Sequence, residues 1–184
     1  MKNPLLEPSK CPFGTIPFND LKSEYFVPAI SSGIKASELA LQEITECEDN
    51  PTFENTILAL ELSGQILDTA TRTYYHLFGS ESDQNFKDLS DTISPMLAEF
   101  ENNLYLNEKL FKRIEVVFRN KHLLEDEEDI RLTEVTYNEF VKNGAALNVT
   151  DKAKLRDIDK NLSTLSPQFS KNTLNATNEF ELWL

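Results

Sequence analysis

The two histidines, His76 and His122, are the first residues in this sequence to consider for chemistry. A catalytic zinc site needs three nitrogen or oxygen ligands, usually with two histidines one helical turn apart and a glutamate beside them as base. His76 and His122 lie far apart, and the sequence has no His-x-x-x-His pair. We interpret His76 as a structural residue near a helix end and His122 as a solvated residue in a connection.

The densest group of carboxylates is the acidic run at residues 125–129. It could attract a hard cation such as calcium, but it lacks the alternating ligands and central glycine of a calcium loop. A solvated helix start accounts for it fully. The sequence also has no Gly-x-Ser-x-Gly elbow and neither of the common glycine-rich phosphate loops. We therefore assign no catalytic, cofactor-binding or metal-binding residue.

The two cysteines, Cys11 and Cys47, fit neither a disulfide framework nor a paired-cysteine zinc site, because no second pair accompanies them. Both are interpreted as reduced thiols, with Cys47 packed near the end of a helix. Aromatic residues make up 10% of the chain and could form a ligand-binding surface. Most of them recur at the spacing of a helical core, but Tyr75 and Tyr105 do not.

The elements that would position these residues are helices. The chain has only five glycines and no alternating run of β-branched residues, whereas helical periodicity recurs throughout. We predict an all-α fold of about six antiparallel helices in a bundle or layered array, spanning residues 23–184. Residues 1–22 precede it as an extended strap, because their prolines prevent a continuous helix. Three apolar side chains are expected to hold the strap down: Phe13, Ile16 and Phe18.

A first helix is predicted over residues 27–47, with Pro28 tolerated in its first turn and one apolar face formed by Ile30, Ile34, Leu41 and Ile44. A second, central helix is predicted to start at Asn50 or Thr52 and to end by Gly79. Its main stripe is Phe53, Ile57, Leu60, Gly64, Leu67, Tyr74 and Phe78. A second apolar face predicts neighbours on two sides, and comprises Leu58, Leu62, Ile66 and Leu77.

The remaining helices are predicted from their caps and stripes. Ser82 caps a third helix that Pro95 should bend, with the face Phe86, Leu89, Ile93, Leu97, Phe100 and Leu104. Asn107 caps a fourth, with the face Leu110, Ile114, Val117 and Phe118. The acidic run opens a fifth, which Gly144 ends, with Ile130, Tyr137 and Val141 pointing inward.

Thr150 is predicted to cap the last helix, in which Pro167 should introduce a kink or a break. This helix has the clearest apolar stripe of the sequence, with spacings that alternate between three and four residues. The stripe is Leu155, Ile158, Leu162, Leu165 and Phe169.

The charge balance limits the possible partners. The chain has 31 acidic and 18 basic residues, a net charge of −13, which would repel nucleic acid and anionic membrane surfaces. The first ten residues contain no apolar core typical of a signal peptide, and no stretch is long and apolar enough for a membrane span. We expect a cytoplasmic protein.

Several segments resemble the N-terminal region of the zinc oligopeptidase family that includes thimet oligopeptidase, oligopeptidase A and the peptidyl-dipeptidases. The most specific are Asn50-Pro51-Thr52-Phe53-Glu54-Asn55-Thr56 and Leu60-Glu61-Leu62-Ser63-Gly64. Others occur near Pro17-Phe18, Glu24-Tyr25-Phe26-Val27-Pro28, Phe140-Val141 and Leu162-Ser163. The resemblance extends to Phe180-Glu181-Leu182, and the bacterial peptidyl-dipeptidases are the branch that it most resembles.

This resemblance implies an intracellular zinc peptidase whose His-Glu-x-x-His helix lies beyond residue 184. It implies that these helices form one wall of a deep substrate channel, with the catalytic domain and short peptides as partners. No zinc ligand or catalytic base of the family falls on a residue of this chain, so the chain by itself is expected to be inactive. Trp183, between two leucines, favours an interrupted fold at residue 184.

Two other interpretations remain open at this stage. The chain could be a free-standing helical interaction domain with no peptidase role, or an enzyme with an unrecognised carboxylate site. A coding sequence that continues with a His-Glu-x-x-His motif would exclude the first, and metal analysis would address the second.

Overall fold

The computed structural model describes residues 2–80 and 83–179, and within these ranges the chain forms helices and helical turns without a β-strand. The predicted all-α fold is thereby confirmed. The predictions for Ser82 and for residues 180–184 lie outside the described residues. The helices are α1 (Phe26–Glu46), a π-helix (Phe53–Leu58), α2 (Ala59–Leu62), α3 (Gln65–Ser80), α4 (Gln84–Asp88), α5 (Ser90–Tyr105), α6 (Glu108–Arg119), α7 (Glu127–Lys142) and α8 (Val149–Glu179).

Residues 2–25, before α1, form only short 3₁₀ helices and irregular turns. This segment is anchored differently from the prediction, because Leu5 is buried and the Asn3 side chain donates to the Tyr25 carbonyl across 2.8 Å. Phe13 is fully exposed at a positive φ of 59°, and Phe18 is half exposed, so neither is the expected anchor. The prolines in this segment exclude a continuous helix, but they do not indicate which apolar side chain is buried in the core.

Helix α1 begins and ends within one residue of the predicted bounds. Ile30, Leu41 and Ile44 are buried as expected, and α1 packs mainly along α3. The two helices pack closely at Gly33, where an added Cβ would lie 2.8 Å from the Leu67 Cα. A glycine is therefore needed at this contact.

The predicted continuous second helix is wrong. Thr52 does cap its start, through a reciprocal capping box with Asn55, but the helix is interrupted after α2 at Ser63 and Gly64. The Ser63 hydroxyl donates to the Leu60 carbonyl at 2.7 Å, and the Ser37 hydroxyl donates to the Ser63 carbonyl at 3.2 Å. These side-chain bonds compete with helical ones. The second apolar face is only partly used, because Leu62 and Ile66 are exposed.

The predicted third helix is divided at Leu89 rather than bent only at Pro95, which lies inside an uninterrupted α5. Its described cap is Asp83, whose carboxylate accepts from the Phe86 amide at 2.8 Å. Phe86 joins Phe26 and Tyr74 in an aromatic cluster, with ring centroids 5.1 to 5.8 Å apart. This cluster holds α4 against α1 and α3.

Helices α6 and α7 pack against each other and against the π-helix. Asn107 caps α6 as predicted, accepting from two main-chain amides. In α7 the most buried positions are Thr133 and Phe140, whereas the predicted Val141 is exposed. Gly144, at a φ of +91°, ends the helix as predicted.

Helix α8 is a single helix of 31 residues that continues through Pro167, so the predicted kink or break does not divide it. Its cap is Asn148 rather than Thr150, because the Asn148 side chain accepts from the Asp151 amide at 2.9 Å. It packs on α5 through a row of partly buried residues spaced by four. The row is Leu155, Asp159, Ser163, Pro167 and Lys171.

Candidate functional site

A cavity of about 490 Å³ lies between α5 and α8, with α3 at one end. From here on it is called the α5–α8 groove. Helix α5 contributes Ser90, Ser94, Leu97 and Glu101 to it. Residues at this spacing share one helical face, so the sequence alone aligns them along the groove.

Helix α8 contributes Asp159, Ser163 and Ser170 to the opposite wall, together with Leu162 and Pro167. Asp159, Ser163 and Pro167 belong to the row that packs on α5. Leu162 and Ser170 lie beside this row. The apolar members of both helices lie between the polar ones, so each wall is mixed. A mixed wall with a few converging polar groups is typical of a ligand-binding cleft.

Most of the serine hydroxyls in the groove already use their protons. Ser90 donates to the Lys87 carbonyl, and Ser163 donates to the Lys160 carbonyl, both at 2.8 Å. Ser170 likewise donates to the carbonyl of Ser166 at 3.1 Å. A hydroxyl whose proton is engaged retains its lone pairs as acceptors. The groove therefore presents mainly hydrogen-bond acceptors.

Two further hydroxyls line the end formed by α3. The Tyr75 hydroxyl lies 3.4 Å from Ser94 Oγ, and either atom can be the donor. Thr71 Oγ1 is buried and has no hydrogen-bond partner among the described residues. Buried polar atoms are normally paired, so an unpaired one at a cavity wall is a suitable contact for a bound group.

Two carboxylates, Glu101 and Asp159, lie where the groove meets a second cavity of about 140 Å³. The surrounding helices desolvate the Glu101 carboxyl and raise its pKa, and the negative charge of Asp159 raises that pKa further. The Glu101 residue as a whole nevertheless remains exposed to solvent. Within the described residues, neither carboxylate forms an ion pair.

Tyr105 and Lys142 line the second cavity. Tyr105 packs edge-on against Phe140, with ring centroids 5.1 Å apart. Burial raises the pKa of the Tyr105 hydroxyl, and the charges of Glu139 and Glu101 add to this effect. Tyr75 and Tyr105, the two tyrosines that the helical stripes did not explain, thus each line one of two connected cavities. The serines gave no comparable signal in the sequence.

Neither histidine lines the two cavities. His76 is in α3, with its ring 6.2 Å from that of Phe18, and His122 is exposed in a 3₁₀ turn. Cys11 and Cys47 are free thiols. Across residues 2–80 and 83–179, no three His, Cys, Asp or Glu side chains are placed to hold a metal ion. The residues described here therefore do not fit a zinc site.

A second surface feature is the apolar stripe of α8. Four of its five members are exposed by 51% to 73%, and we call these four residues the α8 stripe: Ile158, Leu162, Leu165 and Phe169. Only Leu155 turns partly inward. Large apolar side chains gathered on one exposed face mark a surface that packs against something else.

None of the helices in the described part of the chain is both long and apolar enough to cross a membrane. No family model matches the chain. Curated relatives do match. The chain is 33% identical over 176 residues to dipeptidyl carboxypeptidase of Salmonella typhimurium and 34% identical over 175 residues to that of Escherichia coli, each match covering 95% of this chain and 26% of the relative.

Oligopeptidase A of Haemophilus influenzae is 25% identical over 183 residues, which cover 98% of this chain and 26% of that protein. The chain thus spans about a quarter of the length of the curated relatives that it matches. The predicted resemblance is confirmed: nearly all of this sequence is similar to a part of the dipeptidyl carboxypeptidases and oligopeptidases A, consistent with an N-terminal region of that family.

Proposed function

We propose that this chain is the non-catalytic N-terminal region of a zinc-dependent peptidyl-dipeptidase or oligopeptidase, and that it forms one wall of the channel that admits short peptides. In this role the bond-breaking chemistry and the zinc belong to the remaining three quarters of the protein. The partner of this region is then the catalytic domain of the same polypeptide. A cytoplasmic location goes with this role.

The observation that carries the proposal is the combination of a match along nearly the whole chain with a match to only a quarter of each relative. The α8 stripe supports it, since a wall domain packs part of its apolar surface on the rest of the enzyme. The α5–α8 groove supports it as well, because it offers hydrogen-bond acceptors of the kind that peptide amides and ammonium groups require.

A chimera tests the proposal. This chain replaces the matching quarter of the Escherichia coli dipeptidyl carboxypeptidase, and the release of dipeptides from short peptides is measured with zinc present. We expect the chimera to be active and the 184-residue chain alone to be inactive. A folded chimera without activity, or a chelator-sensitive activity of the chain alone, would contradict the proposal. An inactive chimera whose chain instead binds an unrelated protein would favour the free-standing interaction domain.

A further inference from the structure

The α5–α8 groove has features that the match to the relatives does not explain. Its polar atoms are mainly acceptors, since Ser90, Ser163 and Ser170 have already donated their protons to helix carbonyls. Glu101 and Asp159 add two acidic groups at one end. A ligand that satisfies such a surface must bring hydrogen-bond donors.

The charges in and near the groove further narrow the ligand class. Glu101 and Asp159 repel each other, and neither has a cationic partner in the part of the chain that the structure describes. Lys171, farther along α8, is already held by Asp91, with its Nζ 2.9 Å from the carboxylate. Lys142 lines the second cavity without an ion pair to either carboxylate. A bound cation would relieve the repulsion.

The apolar part of the wall indicates what the cation is attached to. Phe78, Leu97, Leu162 and Pro167 line the same groove as the hydroxyls. Its volume of about 490 Å³ is within the range of small-ligand clefts and far exceeds that of a single ion. An aliphatic or peptide group that ends in a nitrogen cation fits both parts of the wall.

We propose that the α5–α8 groove binds an amine-bearing peptide group, with Glu101 and Asp159 receiving its ammonium and the serine hydroxyls receiving its N–H donors. The inference rests on the proposed peptidase role, and it adds the substrate feature that this wall recognises. The ammonium can be the N-terminus of a peptide or the end of a lysine side chain. Both sources present the same chemistry.

The test is to titrate the chain with tetra-alanine amide and, separately, with its N-acetylated form. Binding is measured by NMR or calorimetry. N-acetyl-lysine amide is the third probe, because it carries only the side-chain ammonium. We expect at least one ammonium-bearing probe to bind about tenfold more tightly than acetylated tetra-alanine amide, as partly desolvated ion pairs would allow. The two probes together tell which ammonium the groove takes.

The decisive variant is Glu101→Gln with Asp159→Asn, which keeps side-chain size and removes both charges. Its matched control is Glu99→Gln with Asp157→Asn, on the same two helices but outside the groove lining, with the same change in net charge. We expect the groove variant to lose the ammonium preference and the control to keep it, both with unchanged circular dichroism.

Equal binding of the acetylated and ammonium probes, absence of binding by all three, or an ammonium preference that survives in the groove variant would each overturn the inference. These outcomes are independent of the chimera experiment. An active chimera with no ammonium preference leaves the peptidase role intact and removes this inference alone. Ammonium binding with an inactive chimera removes the peptidase role instead.

Discussion

The guanidinium of Arg113 donates from Nη1 to the main-chain carbonyl of Cys47 across 2.8 Å, and so ties α6 to the end of α1. The same group also donates to the Asp49 carbonyl at 3.2 Å and to the Asn55 side-chain oxygen at 3.0 Å. Arg113 is buried, and its acceptors span the connection between α1 and the π-helix. A single side chain therefore binds three acceptors along this connection, and the Asn55 amide adds a bond to the Asn50 carbonyl.

Replacing Arg113 with alanine should lower the free energy of unfolding by about 2 to 4 kcal/mol, because three buried or partly buried acceptors lose a charged donor. Arg113→Lys should recover only part of this loss, since an ammonium cannot reproduce the planar fork. Arg119→Ala is the control, because its pair with Glu115 is largely exposed. Urea unfolding measures all three. Equal stability of the Arg113→Ala and Arg119→Ala variants would show that the hydrogen bonds of Arg113 do not stabilise the fold.

Two glycines in the α1–α3 region should respond oppositely to alanine. At Gly33 the new Cβ would meet the Leu67 backbone at 2.8 Å, so the helices must separate, and we expect a loss of about 1 to 3 kcal/mol. At Gly64 no atom lies within 4 Å and φ is not positive, so alanine should be neutral or stabilising by up to about 1 kcal/mol. Thermal unfolding distinguishes them. A stable Gly33→Ala variant would contradict the close approach.

The raised pKa of Glu101 predicts a pH dependence of stability. A carboxyl with a folded-state pKa above its ordinary 4.5 binds its proton more tightly when folded, so stability falls as the pH rises from below 4.5 through the folded pKa. Glu101→Gln removes this loss. The Glu101→Gln variant should be more stable than wild type at about pH 7. At about pH 3.5 the two should be nearly equal in stability, because the Glu101 carboxyl is then protonated in both the folded and the unfolded state. A stability difference that is constant with pH would refute the assignment. Glu99→Gln, on the same helix but outside the groove lining, is the control.

The α8 stripe predicts the behaviour of the chain in isolation. Its exposed leucines and phenylalanine should bind a hydrophobic dye and promote concentration-dependent self-association. Replacing Leu165 and Phe169 with aspartate should reduce both while changing stability by only about 0.5 kcal/mol per site, since neither residue is buried. Light scattering at two concentrations and dye fluorescence measure this. A monomeric wild-type chain with no dye binding would contradict the prediction.

The sequence predicted the helices well where the signal was local. The bounds of α1, the capping by Thr52 and Asn107, and the stop at Gly144 all follow from side chains that act on their own backbone. It failed where a distant residue decides. The interruption at Ser63 involves a hydrogen bond from Ser37 on another helix, which periodicity cannot reveal.

The apolar stripe of α8 illustrates a different limit. Its periodicity predicts a helix face, which the structure confirms, but periodicity does not indicate whether the partner of that face is in the same chain. For a similar reason, the sequence predicts only part of the groove lining. Tyr75 and Tyr105 are recognisable in the sequence because they belong to no apolar stripe. Ser94, Ser163 and Asp159 resemble ordinary surface residues in the sequence, and only the packing of α5 against α8 brings them into one cavity.

We propose that this chain is a wall domain whose α8 stripe packs on the catalytic part of a peptidyl-dipeptidase. The most direct measurement is kcat/KM for dipeptide release by the Escherichia coli chimera carrying Leu165→Asp with Phe169→Asp. Its control carries Asn161→Asp with Gln168→Asp, at exposed polar positions of the same helix. We predict a loss of at least about tenfold for the stripe variant and near-parental activity for the control, since a buried unpaired charge disrupts an interface. A stripe variant as active as the parent chimera would contradict the claim.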